Sequence, residues 1–225
     1  MKPYYKSKSG ITIYHGDCRD VLPTLPKVDL VLTDPPYGVN WDTDYRSMTP
    51  SPKSVVRQAG RIVAQYKHAP VKNDNKPFDP APWLKFPKVI LFGANCFSER
   101  LPMGRWLVWD KRFASGAAFL ADAEVAWMKG GHGVYIYAQT WQGFCRSEKT
   151  QHPTQKPIGL MEWCIGKSRT TGLILDPFMG AGSTLVAAQN LNRQAIGIEI
   201  EEKYCEIAAK RLDAARVTAR LKLAA

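Results

Sequence analysis

Three acidic residues close short apolar runs, and two of them open turns with the makings of ligand contact. Asp34 follows Val28-Asp29-Leu30-Val31-Leu32-Thr33 and opens Asp34-Pro35-Pro36-Tyr37-Gly38. Asp176 follows Gly172-Leu173-Ile174-Leu175 and opens Asp176-Pro177-Phe178-Met179-Gly180-Ala181-Gly182-Ser183-Thr184. Glu199 closes the run Ala195 to Ile198, 23 residues beyond Asp176. Short β-branched runs of this kind read as buried strands. A Pro-Pro pair can neither continue a ladder nor enter a helix interior, so the chain leaves the sheet there. A carboxylate, a stiff turn and an aromatic ring are thereby presented at the carboxyl end of a strand, the edge where open α/β sheets bind ligands. The same four residues also read as a proline-stiffened turn over a buried tyrosine. The glycines after Asp176 let a ligand approach the backbone, and the helix that follows offers free N–H groups. An acid about 20 residues beyond such a loop is the expected position of a ribose-binding group.

The elements needed to place these groups are legible along the chain. Ile11 to Tyr14 reads as a strand ending at His15-Gly16-Asp17-Cys18, a turn that taken alone is ordinary. Arg19 to Leu25 reads as a short helix closed by Pro26. Strands are expected at Lys88 to Phe92, Arg105 to Trp109 and Ala123 to Met128, and helices at Asn95 to Leu101, Ile158 to Ser168 and Thr184 to Asn190. Glu201 to about Leu221 reads as an amphipathic helix with Tyr204, Ile207, Ala208, Leu212 and Ala215 inward. Alternating strands and helices argue an α/β layer fold.

Two stretches break that rhythm. Gly38 to Pro82 is interrupted by prolines at 50, 52, 70, 77, 80 and 82 and reads as an insertion on the ligand-binding edge. Within it, Ser51 and Pro52 suit a helix start, and Val55, Val56, Ala59, Ile62, Val63 and Tyr66 recur at helical spacing. Lys53, Arg57 and Arg61 step by four along another face, as a phosphate-tracking stripe or as a solvated helix face. From Lys129 to Gln151, Gly130, Gly131 and Gly133 precede Tyr135, Tyr137, Trp141 and Phe144, with basic residues between them. That texture suits either contact with nucleic acid or hairpin packing.

At 225 residues, 45% of them hydrophobic, the chain fits a single domain able to bury a core. No run reaches the length of a membrane span, and Met1 to Tyr5 lacks an apolar leader core. Five scattered cysteines without a CxxC pair argue for reduced thiols in a cytoplasmic setting, against a disulfide framework and against structural zinc. No metal-ligand cluster is visible. A net charge of +11 suits a polyanionic partner.

Asp34-Pro35-Pro36-Tyr37 resembles the signature of DNA amino-methyltransferases, enzymes that methylate N6 of adenine or N4 of cytosine with S-adenosylmethionine. Asp176-Pro177-Phe178-x-Gly180-x-Gly182 resembles the cofactor loop of the same enzymes, and His152-Pro153-Thr154-Gln155-Lys156-Pro157 is similar to the segment leading into it. The order, tetrapeptide before loop, is that of the circularly permuted β class. The resemblance implies a doubly wound, mostly parallel Rossmann-like sheet, with the Asp176 strand central and beside the Asp34 strand. It makes Asp34, Pro35, Pro36 and Tyr37 the catalytic group. Asp34 and the Pro35 carbonyl would accept the two N–H bonds of the target amine, while Tyr37 stacks on a base flipped out of double-stranded DNA. It further implies that Asp176, Phe178, Gly180 and Gly182 form the methionine-side loop, that Asp34 and Ser183 also contact the cofactor, and that Glu199 holds the ribose. Asp17 and Cys18 would meet the cofactor adenine, and Thr154 and Lys156 would border the methionine carboxylate.

Asp34 at the head of the tetrapeptide points to adenine N6, since the N4-cytosine enzymes more often begin with serine. N4-cytosine methylation is the next reading, methylation of RNA or of a protein amide a more distant one, and a DNA-binding protein with a vestigial cofactor fold stands outside catalysis altogether. Methylation at cytosine C5 is excluded, because it needs a thiolate nucleophile and no Pro-Cys pair is present. With no large recognition domain in view, DNA recognition is expected from the Lys53/Arg57/Arg61 stripe, from Gln142 and Arg146 in the aromatic segment, or from a second subunit in a homodimer.

Overall fold

Buried residues alternate along the central strands, so that each strand feeds two cores. In β3 (Leu30–Thr33), Leu30 and Leu32 join one hydrophobic cluster and Val31 the other. In β4 (Lys88–Phe92), Ile90 and Phe92 pack on the first side while Val89 and Leu91 pack on the second. A sheet apolar on both faces must be covered on both, which is the layered α/β solution. The computed structural model describes residues 1–41, 71–112, 121–140 and 154–224, with side chains as far as Arg216.

The sheet has eight strands in the order β1-β2-β8-β7-β3-β4-β6-β5. These are β1 (Tyr5–Lys6), β2 (Ile11–His15), β5 (Gly104–Asp110), β6 (Ala123–Ala138), β7 (Ile174–Asp176) and β8 (Ala195–Glu199), besides β3 and β4. The run from β2 through β8, β7 and β3 to β4 is parallel; β1 is antiparallel to β2, and β6 to β4. The expected placement of β7 beside β3, at the centre, is what the pairing shows, with Leu30 opposite Ile174 and Val31 opposite Leu175.

One face is covered by α2 (Ile158–Ser168), α3 (Ser183–Asn190) and α4 (Glu202–Ala224), which supply Leu160, Cys164, Leu185, Ala188, Ala208 and Leu212 to the first cluster. Among the described residues, the other face carries the four-residue α1 (Cys18–Val21) and single 3₁₀ turns at Leu22–Thr24, Trp83–Lys85, Ala94–Cys96 and Ser98–Arg100. The helix expected over Asn95 to Leu101 is therefore two 3₁₀ turns. Phe97 separates them at φ −146°, and Gly93 before them is left-handed at φ +66°, so no continuous α-ladder forms. Arg19 to Leu25 likewise divides into α1 and a 3₁₀ turn where Pro23 enters.

The strand expected at Ala123 to Met128 continues to Ala138 through Gly130, Gly131 and Gly133, all at positive φ. It folds over β5, so that Leu107 stands opposite Ala126 on one side and Tyr135 on the other. Residues 129–138 of the aromatic segment are therefore sheet, and Tyr137 packs on Trp163 of α2 at a ring separation of 5.4 Å. The predicted helix of the insertion lies outside the described residues.

Candidate active site

The carboxyl ends of the parallel strands open into a cleft of about 850 Å³. Strand polarity places it there: β2, β3, β7 and β8 deliver Asp17, Asp34, Asp176 and Glu199 to one edge. The sequence-predicted residues Asp17, Cys18, Asp34, Pro35, Pro36, Tyr37, Thr154, Lys156, Asp176, Phe178, Gly180, Ser183 and Glu199 all line it. Gly182 does not. At φ +78° it caps α3, and a Cβ there would stand 2.8 Å from the Cβ of Ala208, so its role is to seat the helix against α4. Lys53, Arg57, Arg61, Gln142 and Arg146 lie outside the described residues.

Asp34 sits at the centre of a chain of charges. Its Oδ1 accepts the Tyr37 hydroxyl and its Oδ2 is ion-paired with Lys156 Nζ. Lys156 in turn lies 3.1 Å from Glu124 Oε2, and Lys111 Nζ donates to Glu124 Oε1 at 3.0 Å. Lys156 is buried at 6% side-chain exposure, Asp34 nearly so at 15%. Burial pushes the Asp34 carboxyl above its ordinary range; Lys156 opposes that shift and the nearby Glu124 adds to it. Burial also works against the charge of Lys156, but Asp34 and Glu124 outweigh it and hold the ammonium well above its ordinary range. Glu124 pays desolvation too, yet Lys156 and Lys111 together keep it below its usual range. The phenol of Tyr37 is raised well above its ordinary value, by burial first and by Asp34 next, so it stays protonated and donates. Its ring lies over Gly93, where any Cβ would collide with it.

The other acids are held differently. Asp176 Oδ1 accepts the Thr33 hydroxyl at 2.6 Å and the Phe178 N–H at 3.2 Å, tying the end of β7 to the end of β3. Burial lifts its pKa to about 6, against the hydrogen bonds from Thr184, Thr33 and Phe178 that favour the charge. Glu199 accepts the Gly180 N–H at 3.0 Å and the Glu201 N–H at 2.8 Å, clamping the glycine loop to β8. Each of its oxygens keeps a further lone pair for a ligand hydroxyl. Asp17 caps α1 through the Arg19 N–H at 2.9 Å, and the Arg19 guanidinium on it lowers its pKa.

Three placements add to the sequence reading. Lys156, read as bordering the methionine carboxylate of the cofactor, lines the cleft and is ion-paired with Asp34 and Glu124. Glu124 and Lys111 were missed, although an acid in the apolar run Ala123-Glu124-Val125-Ala126-Trp127-Met128 is a local signal in its own right. Asp74 was also missed. It is buried and takes the Gly38 and Trp41 N–H groups at 2.8 and 2.7 Å, stitching together the two ends of the insertion beside the cleft. Among the described residues no group of three or more His, Cys, Asp or Glu could hold a metal, and no helix is long and apolar enough to cross a membrane.

A mostly parallel sheet with a glycine turn after one central strand and an acid-led proline turn after its neighbour is the Rossmann-like fold of S-adenosylmethionine-dependent methyltransferases. A family model described as DNA methylase matches residues 129–210. YubD of Escherichia coli (strain K12), a methylase by name, is 30% identical over 215 residues, covering 88% of each chain. The chain belongs to the DNA methylase family. The Type II methyltransferase M.ScaI of Streptomyces caespitosus is 29% identical over 257 residues, covering 95% of this chain and 84% of its own. Among solved structures, the M1.HpyAVI–SAM complex matches with a TM-score of 0.51 at 26% identity, over 90% of this chain and all of that one. The cytosine-N4-specific PvuII DNA methyltransferase matches with a TM-score of 0.58 over 92% of this chain and 88% of its own, at 14% identity, a likeness of fold.

Proposed function

We propose that the protein methylates the exocyclic N6 of a flipped-out adenine in duplex DNA, with S-adenosylmethionine as methyl donor, and that its order of motifs is that of the permuted β class. The observation that carries this is Asp34: a carboxylate at a strand end, ion-paired with Lys156, on a proline turn whose next residue brings a carbonyl.

The cleft fits the donor. Asp17, Asp34, Asp74, Glu124, Asp176, Glu199 and Glu201 line it against Lys72, Lys111 and Lys156, an acidic hollow in a chain of net charge +11. An acidic hollow favours a cationic cofactor, while the basic remainder favours a polyanion. When bound, the cofactor supplies a methyl group on a sulfonium, electrophilic enough to need neither metal nor covalent intermediate.

The chain's own residues then orient the nucleophile. An exocyclic amine is a poor nucleophile because its lone pair is delocalised into the ring. Asp34 and the Pro35 carbonyl accept its two N–H bonds and turn the lone pair out of that conjugation. Asp34 can do so without releasing Tyr37 or Lys156, since a carboxylate offers about four acceptor positions. As the nitrogen gains positive charge, the fixed negative charge beside it stabilises the transition state. The Tyr37 ring provides the stacking surface. Glu199 takes the ribose hydroxyls on its remaining lone pairs, and Asp17 with the Cys18 backbone borders the cofactor adenine.

Sequence recognition falls in this reading to the stripe Lys53, Arg57 and Arg61, to the segment with Gln142 and Arg146, and to a surface completed by a second copy of the chain. The setting is the cytoplasm. The test is nucleoside analysis of duplex DNA after incubation with labelled S-adenosylmethionine. N6-methyladenine is expected, N4-methylcytosine would replace the adenine reading, and no methylated nucleoside would overturn the proposal.

A further inference from the structure

Glu124 is the feature of the cleft that the reading above leaves unused. It reaches the site from β6, a strand that joins β4 antiparallel through Phe92 opposite Ala126, whereas Asp34 stands at the end of β3. It shares Lys156 with Asp34, at 3.1 Å from its Oε2, and is itself held by Lys111 at 3.0 Å. Its Oε2 is shielded from solvent and meets Lys156 at 3.1 Å as a charge contact. Lys156 is also held over the Phe92 ring at 5.5 Å. An ammonium placed between two carboxylates cannot give itself wholly to either.

Resting on the methyl-transfer reading, we propose that Glu124, carried by Lys111, is a positioning residue for the reaction: by sharing Lys156 it keeps Asp34 open to the target amine. With Glu124 absent, Lys156 closes onto Asp34 alone and competes with the amine for its lone pairs. With Lys156 absent, Asp34 is a buried carboxylate facing a second one and takes up a proton more readily, which removes its negative charge and weakens it as an acceptor. The two losses act on Asp34 in opposite electrical directions. The charged and titratable groups facing Asp34 are Tyr37 from its own turn, Lys156 ahead of α2, Glu124 from β6 and Asp176 from β7; Cys96 faces Tyr37. Of these, only Lys156 and Glu124 are removed in the test.

Purified Glu124→Gln, Glu124→Asp and Lys156→Met are compared with the wild type for kcat and KM on genomic duplex DNA, for S-adenosylmethionine affinity, for melting temperature, and for the pH dependence of kcat. Glu124→Gln should lower kcat on the order of tenfold or more, with KM and cofactor affinity within a few-fold of wild type. Its acidic limb should move to lower pH by about half a unit or more, because a like charge beside Asp34 is gone. Lys156→Met should move the limb to higher pH. Glu124→Asp should recover part of the rate. Should Lys156→Met fail to fold, the two Glu124 variants decide alone. A Glu124→Gln protein with wild-type kcat and an unmoved limb overturns the proposal, as do limbs that move the same way in Glu124→Gln and Lys156→Met. Failure of the methyl-transfer reading itself looks different: the wild type would then leave no methylated nucleoside in the DNA.

Discussion

Asp34 and Asp176 end neighbouring parallel strands and open proline turns of similar composition, yet they are held by different kinds of partner. Asp176 is tied to the Phe178 N–H at 3.2 Å, to the Thr33 hydroxyl at 2.6 Å and to Thr184, groups that are part of the frame. Asp34 is tied to a phenol and an ammonium, side chains that stand in the cleft with it. The same residue type at the same place in a sheet thus serves as a joint in one case and as a working group in the other. What separates them is whether their partners are strand-end and backbone groups of the frame or a phenol and an ammonium standing in the cleft.

The sharpest way to break this contrast is to truncate both acids. Asp34→Ala removes the charged acceptor and leaves β3 intact, so methyl transfer should fall on the order of a hundredfold or more while cofactor binding persists. Near-normal turnover in that variant would sink the assignment. Asp176→Asn should instead register in stability. Its folded pKa of about 6 lies above the ordinary 3.8, so the folded state binds the extra proton between those values and loses stability as pH rises through them. At pH 7 the buried charge costs about 2–3 kcal/mol relative to the protonated form. Denaturant unfolding across pH 4 to 7 should show the wild type losing ground to Asp176→Asn by roughly that amount. Parallel curves for the two proteins would remove Asp176 from the role of joint.

Glu199 stands between the two types, clamping the glycine loop through Gly180 while keeping lone pairs for a ligand. Glu199→Ala should weaken S-adenosylmethionine binding by roughly 1.5–3 kcal/mol, the scale of hydrogen bonds to a charged group. Calorimetry reads this directly, and an unchanged dissociation constant would mean that the cofactor lies elsewhere in the cleft.

The sequence made one half of the site legible and left the other half dark, for a physical reason. Asp34, Asp176 and Glu199 announce themselves because a strand end, a proline or glycine turn and an acid are consecutive in the chain. The parallel order that brings β3 and β7 together follows from the same alternation. Glu124 and Lys111 enter the site through strand pairing across β4, β5 and β6, and pairing across a sheet leaves no mark at short range. Lys156 stands out by its motif, but its pairing with Asp34 and Glu124 does not, since spacing says nothing about which charge a long side chain will meet. The helix expected at Asn95 to Leu101 failed locally, at left-handed Gly93, whose bareness makes room for Tyr37.

Tyr37 offers the finest test of the contrast, because its ring and its hydroxyl have separate work. The ring lies on Gly93 and lines the cleft; the hydroxyl donates to Asp34 Oδ1. Stacking by the ring alone would make Tyr37→Phe better tolerated than Tyr37→Ala. The hydrogen bond adds a cost to the phenylalanine variant. A donor to the carboxylate favours its charged form, so Tyr37→Phe should raise the Asp34 pKa further and move the acidic limb of the rate to higher pH. A single neutral donor to a charged group is worth about 1.5–3 kcal/mol at most, and Lys156 keeps most of the charge in place. The fall in kcat should therefore be several-fold near neutral pH and should shrink as pH rises, whereas Tyr37→Ala should stay impaired at every pH because stacking is lost as well. Rate profiles of the two variants that differ by a constant factor across the pH range would mean that the hydroxyl does nothing for Asp34.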